Sequence, residues 1–246
     1  MKKQYTTLSR GTFVIETETD KKMAQLFARY KHPQEDELVI LEKFLDKDSV
    51  FLDVGANIGT ITVPMAKISK EVLAFEPVAE NLALLEENLK LNNVSNVTVF
   101  PIALGSEHGS VQLEAQDAAD AGTYSIRGEG DIPLVPLDSI PCSPTLIKMD
   151  VEGYEIDVLK GARETIKKHR PVIFFEINLK ETRKRHDWWL TAVESEIKSH
   201  GYSIYLPTET TQKRVRSIAW SMFTQAPKAF LTGKLHFSRN FLAIPH

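Results

Sequence analysis

VFLDVGANIG, residues 50–59, sets the fold of this chain. Val50, Phe51, Leu52 and Val54 make the short apolar run of a buried parallel strand, with the turn formers Asp48 and Ser49 just before it. The backbone must then bend sharply. Gly55 and Gly59 bracket Ala56, Asn57 and Ile58, so the chain can pass close to a ligand without a Cβ in the way, and the helix that follows presents unpaired N–H groups towards it. A second apolar run, Val72 to Phe75, ends in Glu76 and Pro77. An acidic side chain at that strand tip is placed to accept hydrogen bonds from ribose hydroxyls.

Three readings compete for the bend. One is a structural glycine turn of any α/β protein. A second is a dinucleotide site, which needs G-x-G-x-x-G; here Asn57 and Thr60 stand where the second and third glycines belong, so the phosphate-holding pattern is broken. The third is S-adenosylmethionine, which has no phosphate and carries an ammonium, for which Asp53 at the strand tip supplies a nearby negative charge. The third reading fits best.

Composition sets the outer bounds. A chain of 246 residues with 42% apolar side chains buries a full core as one large domain, or as one domain with a small appendage. Thirty basic against 33 acidic residues give a net charge of −3, no general attraction for nucleic acid or an anionic membrane. The single cysteine, Cys142, allows no internal disulfide and no cysteine-based metal cluster. The N-terminus MKKQYTTLSR lacks an apolar stretch after its lysines and no run of eighteen apolar residues occurs, so neither a signal peptide nor a membrane span is expected and the location reads as cytoplasmic.

Outward from the bend, residues 1–48 read as an accessory cap: a strand near Phe13 and Ile15, a helix carrying Met23, Leu26, Phe27 and Tyr30, and a second helix from Glu35 to Leu45 behind Pro33. Such a segment either covers the sheet or closes over a substrate. Residues 49–246 read as a Rossmann-like body. Strand 50–54, helix 58–69, strand 72–75, helix 79–91 and strand 97–104 alternate as right-handed crossovers of a parallel sheet. Ala103, Leu104 and Gly105 would form a small apolar shelf at its carboxyl edge, as an adenine ring requires. Residues 106–144 lack the next helix and read as a loop or hairpin insertion, a lid or simply disordered.

TLIKMDVEGYE, residues 145–155, is the second informative stretch. Leu146, Ile147 and Met149 mark the central strand, which puts Asp150 at its carboxyl end, where open α/β sheets bind ligands. Glu152 follows, Gly153 permits an unusual turn, and Glu155 reads as an ordinary first-turn acid. Pro171 to Glu176 is a further strand ending in an acid, 188–200 a helix, and 202–206 and 239–244 the last strands. The basic clusters KETRKR (180–185) and KRVR (213–216) read as a solvated face or as a dock for an anionic glycan or RNA. His186, Asp187, Trp188 and Trp189 suit packing or, alternatively, a sugar platform.

Together LDVGANIG, FEP, ALG, IKMDVEGYEIDVLKGA, PVIFFEI and the closing NFLAIP resemble the FkbM-type methyltransferases. The resemblance implies a class I methyltransferase fold, a doubly wound, mostly parallel seven-stranded sheet with a final antiparallel strand. It also implies S-adenosylmethionine as cofactor and O-methylation of a sugar or secondary-metabolite hydroxyl; RNA or protein methylation, or a non-catalytic cofactor-binding module, are the alternatives. The expected cofactor residues are Asp53, Gly55, Ala56, Asn57, Gly59, Glu76, Pro77, Ala103 and Leu104. Asp150 is the expected general base, with Glu152 supporting it and Glu176 in reserve. A Mg²⁺ shared by Asp150 and Glu152 is less favoured, because no third ligand is evident. The acceptor is expected to be a small molecule or glycan, with nucleic acid disfavoured and no oligomeric state implied.

Overall fold

The computed structural model describes residues 2–18, 20–117, 120–178, 189–207, 212–215 and 238–246. In chain order, an antiparallel hairpin of β1 (Lys3–Leu8) and β2 (Gly11–Glu16) precedes helices α1 (Lys21–Arg29) and α2 (Glu35–Leu41). β3 (Val50–Val54), α3 (Thr62–Ala66), β4 (Glu71–Phe75), α4 (Ala79–Leu91) and β5 (Val97–Phe100) follow as two β-α-β units. Next come β6 (Ala103–Leu104), β7 (Gly109–Asp117) and β8 (Asp120–Val135), then β9 (Leu146–Met149), α5 (Glu155–Lys160), α6 (Arg163–His169) and β10 (Val172–Asn178). The chain closes with α7 (Trp189–Ser199), β11 (Tyr202–Pro207), β12 (Gln212–Val215) and β13 (Ser238–Pro245).

The main sheet runs β12-β11-β13-β10-β9-β3-β4-β5. Strands β10, β9, β3, β4 and β5 are parallel neighbours, and β13 slots antiparallel between β10 and β11. The expected doubly wound, mostly parallel sheet with a final antiparallel strand is therefore what forms. Period-two alternation sorts the strand residues between two cores. Leu52, Val54, Met149, Phe175 and Ile177 face one side with Ile156 and Leu159 of α5 and Val193 and Ile197 of α7. Phe51, Val72, Leu146 and Phe174 face the other with Leu38 and Leu41 of α2 and Met65 of α3. Each fully buried Phe or Leu contributes roughly 2–3 kcal/mol by leaving water, so both faces hold the sheet between helical layers.

The N-terminal hairpin is joined to the body by side-chain amides. Asn88 of α4 accepts from Val14 N (2.7 Å) and donates to Ile58 O (2.8 Å); Asn92, one turn on, accepts from Thr12 N (3.0 Å) and donates to Thr12 O (2.6 Å). The two asparagines thus stand in for a neighbouring strand along β2. Phe13 and Ile15 of β2 and Phe27 of α1 complete the contact by packing with Leu84, Leu85 and Leu89 of α4.

Four elements differ from the sequence reading. Strand 97–104 is divided: Pro101 has no N–H to continue the ladder, and Ala103 and Leu104 pair instead with Leu134 and Val135 in a separate sheet, β6-β8-β7. Residues 58–69 are helical only over α3, because Asn57 (φ 50°) and Gly59 (φ 86°) hold the preceding turn in left-handed conformation. The sheet has eight strands rather than seven, since β12 pairs with the outer edge of β11. β1 was not anticipated: KQYTTL is mostly exposed and carries little apolar alternation. Residues 106–144 contain the β7–β8 hairpin; residues 118–119 lie outside the described ones. The cluster 180–185, Arg216, His186, Asp187 and Trp188 also lie outside them. No helix among the described residues is long and apolar enough to cross a membrane.

Candidate active site

One cavity of about 280 Å³ opens along the carboxyl edge of β3, β4, β9 and β10. Its walls include Val54, Gly55, Ala56 and Asn57 from the bend, Glu76 and Pro77 after β4, and Ala103 and Leu104 of β6. Lys148, Asp150, Val151, Glu152 and Tyr154 contribute from β9 and the turn after it, and Glu176 from β10. Asp20, Lys22, Met23 and Leu26, at the start of and along α1, and Pro33 and Gln34 before α2 close it on one side, and Leu113 and Tyr124 reach it from the hairpin.

Ten of the twelve residues named from sequence thus share one cavity wall region, and Asp150, Glu152 and Glu176 face it together. Asp53 and Gly59 are not among the lining residues. Asp53 has 0% exposure; its carboxylate accepts from Thr62 Oγ1 (2.7 Å) and pairs with Lys148 Nζ (3.2 Å). The expectation that it meets a ligand ammonium is therefore corrected: the charge is drawn under α3 and neutralised by a buried lysine. At Gly59 an added Cβ would lie 2.6 Å from Leu85 Cδ1, so this glycine admits α4 rather than a ligand. At Gly55 (φ 81°) a Cβ would lie 2.0 Å from the Asp150 carbonyl oxygen, so the bend after β3 and the end of β9 are in direct backbone contact.

Glu76 organises the bend. It is 4% exposed, accepting from Asn57 N (2.7 Å) through one carboxylate oxygen and from Val78 N (3.0 Å) and Asn81 Nδ2 (3.2 Å) through the other. Burial raises its pKa, and these three donors hold the rise back. An ionised carboxylate offers about four acceptor positions, so one remains for a ligand hydroxyl at the cavity wall.

Lys148 is the residue that sequence reading passed over. It interrupts the apolar run LIKM, and its side chain is only 4% exposed. Nζ donates to Gly55 O (2.9 Å), pairs with Asp53 and lies 4.0 Å from Asp150 Oδ2. Burial alone would lower its pKa, but Asp53, Asp150 and Glu37 raise it, so the ammonium stays charged. Glu37 of α2 was likewise unmarked. Burial pushes its pKa up to about 7, with Asp150 and Asp53 adding to the rise and Lys148 and a hydrogen bond with Asn240 opposing it. Asn240 of β13 sits directly across from Glu176.

The turn after β9 is held left-handed at Glu152 (φ 50°) and Gly153 (φ 94°). A non-glycine residue there stores strain of about 1 kcal/mol or more, as seen in turns that aim a side chain at a ligand. Glu155 is not a plain first-turn acid: it is 1% exposed and accepts from Gly153 N (3.0 Å), locking that turn. Among the described residues no three His, Cys, Asp or Glu side chains cluster as metal ligands.

The wall suits a nucleoside bearing no phosphate. Val54, Phe75, Val78, Ile102, Ala103 and Leu104 give apolar surface, and the Glu76 carboxylate stands in the same wall. Comparison with known proteins agrees. A model described as the methyltransferase FkbM domain matches residues 53–204. Hexuronic acid methyltransferase AglP of Haloferax volcanii is 33% identical over 138 residues, which cover 52% of this chain and 56% of that protein, just over half its length. Methyltransferase 1 of Beauveria bassiana is 29% identical over 178 residues, 55% of this chain and 72% of the relative. The crystal structure of Trm5b from Pyrococcus abyssi superposes with a TM-score of 0.51 at 15% identity, covering 98% of this chain and 54% of that one, a likeness of fold alone. With the family model spanning more than half of its length, this chain belongs to the FkbM methyltransferase family.

Proposed function

We propose that the chain is an S-adenosylmethionine-dependent O-methyltransferase acting on a hydroxyl of a sugar or a related small molecule. The observation that carries this reading is the meeting of two sets of residues in one cavity. The bend at 54–57, Glu76 and the Ala103–Leu104 shelf form one wall, and Asp150, Glu152 and Glu176 form the next. Gly55, Ala56, Asn57, Glu76, Pro77, Ala103 and Leu104 would hold the cofactor, which supplies an electrophilic methyl on a sulfonium when bound. The name of the Haloferax relative supports a sugar as acceptor.

The protein's part is alignment and proton removal. Asp150 accepts the proton of the attacking hydroxyl, while Glu152 and Glu176 orient that hydroxyl and its neighbours by accepting their hydrogen bonds. Holding the nucleophile in line is the larger contribution, because a positioned reactant avoids the entropic cost of encounter. Lys148 keeps its ammonium beside Asp150 and ties it to the cofactor-side bend through the Gly55 carbonyl.

Three measurements test the reading. Calorimetry should show S-adenosylmethionine binding and none of NAD; the opposite result removes the proposal. Extract fractions incubated with labelled S-adenosylmethionine should carry label in glycan or small-molecule pools, and label only in RNA or protein would replace the acceptor class. Asp150→Asn should lower kcat on the identified acceptor by about 100-fold or more while leaving cofactor affinity within a few-fold, the scale on which a positioned general base acts.

A further inference from the structure

Resting on the cofactor assignment above, we propose that Tyr124, on the β7–β8 hairpin, is a further cofactor contact, its ring covering the nucleoside of S-adenosylmethionine at the Glu76 end of the cavity. The hairpin starts from the apolar shelf. β8 pairs with β6 through Leu134 and Val135, and Val111 of β7 packs with Ala103 and Leu134. Along β7, Val111 is buried, Gln112 exposed, Leu113 half-buried and Glu114 exposed, so Val111 and Leu113 share one face. Leu113 stands opposite Ile126 and Tyr124 opposite Ala115, which puts Tyr124 on that same face as the diagonal neighbour of Leu113. Leu113 and Tyr124 both line the cavity, so the face that rests on the shelf at Val111 continues over the ligand space.

Two observations put the ring at the nucleoside end rather than over Asp150. The hairpin is rooted on Ala103 and Leu104, the surface assigned to the base, and the carboxylates that act on the Tyr124 hydroxyl are those of Glu80 and Glu76. Burial raises the Tyr124 pKa first and these two charges add to the rise, so the hydroxyl stays protonated at neutral pH. A phenol presents a flat apolar face with a hydrogen-bond donor at its tip. That combination fits a nucleoside, whose base offers a π-face and whose ribose carries acceptor oxygens. Stacking of a base on an aromatic ring needs no phosphate, which suits a ligand that has none. The plainer use of the ring is packing against α1, which lies against β8 and brings Met23 and Leu26 to the same cavity. An aliphatic side chain would serve that packing equally well, and this separates the two uses.

Calorimetric titration with S-adenosylhomocysteine, on the full chain and on its Tyr124→Leu and Tyr124→Phe variants, tests the assignment. Tyr124→Leu should bind more weakly by about tenfold or more, the scale of an aromatic face lost from a base, while its ligand-free thermal midpoint stays close to that of the unaltered chain. Tyr124→Phe, which keeps the ring, should stay within a few-fold. Equal affinity for Tyr124→Leu and the unaltered chain overturns the inference and leaves the ring to α1. Should Tyr124→Leu fail to fold, the unaltered chain decides. With its tyrosine rings protonated in a deuterated background, nuclear Overhauser contacts should run from adenine or ribose protons of the ligand to a tyrosine ring whose resonances vanish in Tyr124→Phe; absence of those contacts overturns the inference. A chain that binds no S-adenosylhomocysteine removes the cofactor reading and this inference with it. A chain that binds it through Tyr124 yet methylates no acceptor pool removes the methyl-transfer reading alone and leaves the Tyr124 contact standing.

Discussion

Lys148 and Asp53 form a pair in which each residue makes the other tolerable in the core. Removing one member of a buried pair leaves an uncompensated charge, whereas removing both does not. Lys148→Met should destabilise the protein by about 3–5 kcal/mol, and Lys148→Met/Asp53→Asn should recover most of that loss, as read from urea midpoints. Two other groups, the half-buried Glu37 and the buried His32, give opposite pH dependence. Glu37, raised to about 7, holds a proton in the folded state that the unfolded chain releases near its ordinary value of 4.5. Folded protein therefore binds more protons between about 4.5 and 7, and stability falls as pH rises through that window. His32 is 2% exposed, and burial lowers its pKa from 6.5 to about 4. Here the unfolded chain binds more protons, so its contribution is complete above about 6.5 and lost as pH falls towards 4. The His32 effect amounts to up to about 3 kcal/mol. Because the windows overlap, each is isolated by its own variant: Glu37→Gln should abolish the fall and His32→Asn the rise in unfolding free energy measured against pH. None of these roles was legible in the sequence. Lys148 sits in an apolar run whose partner lies on a different strand, and Glu37 reads as one of three acids opening a helix with one apolar face.

At the scale of elements, what could be read and what could not divides by whether the signal was local. β3, β4, β9, β10 and α4 carry dense apolar periodicity, so their positions followed from the residues themselves. The carboxylates Asp150, Glu152 and Glu176 were legible for the same reason, since each ends or follows a strand that the pattern located. Asp53 was misread because its alternation places it at the strand tip, while the direction of its side chain is set by Thr62 and Lys148, both distant in sequence. β1 and the docking of the N-terminal hairpin were invisible, because the attachment is made by asparagine amides that look like helix-end polar residues. Asn88→Ala removes donors and acceptors from Val14 and Ile58 at a fully buried position. The variant should lose about 1–3 kcal/mol, with faster hydrogen exchange at the Val14 amide than in the central strands. An unchanged Val14 exchange rate would show that hydrophobic contact with α4 alone holds the hairpin.

Across the whole molecule, the cavity is assembled from parts widely separated in the chain: α1, the bend after β3, the hairpin strand β8, the turn after β9 and the end of β10. Ligand binding should therefore stabilise the molecule globally. The placement of β13 between β10 and β11 adds a temporal consequence. A ribosome releases β11 and β12 well before β13, yet that pair has no link to β10 until β13 arrives to bridge them. Nascent chains stalled before residue 238 should keep an open edge on β10, a template for pairing with another chain. A version ending at residue 237 should associate or be cleaved by protease within the α7–β11 stretch, and a supplied peptide of residues 238–246 should restore protection. Synthesis thus leaves a keyhole in the middle of the sheet that the late-emerging segment must fill, and during that interval a holdase chaperone has its most natural grip.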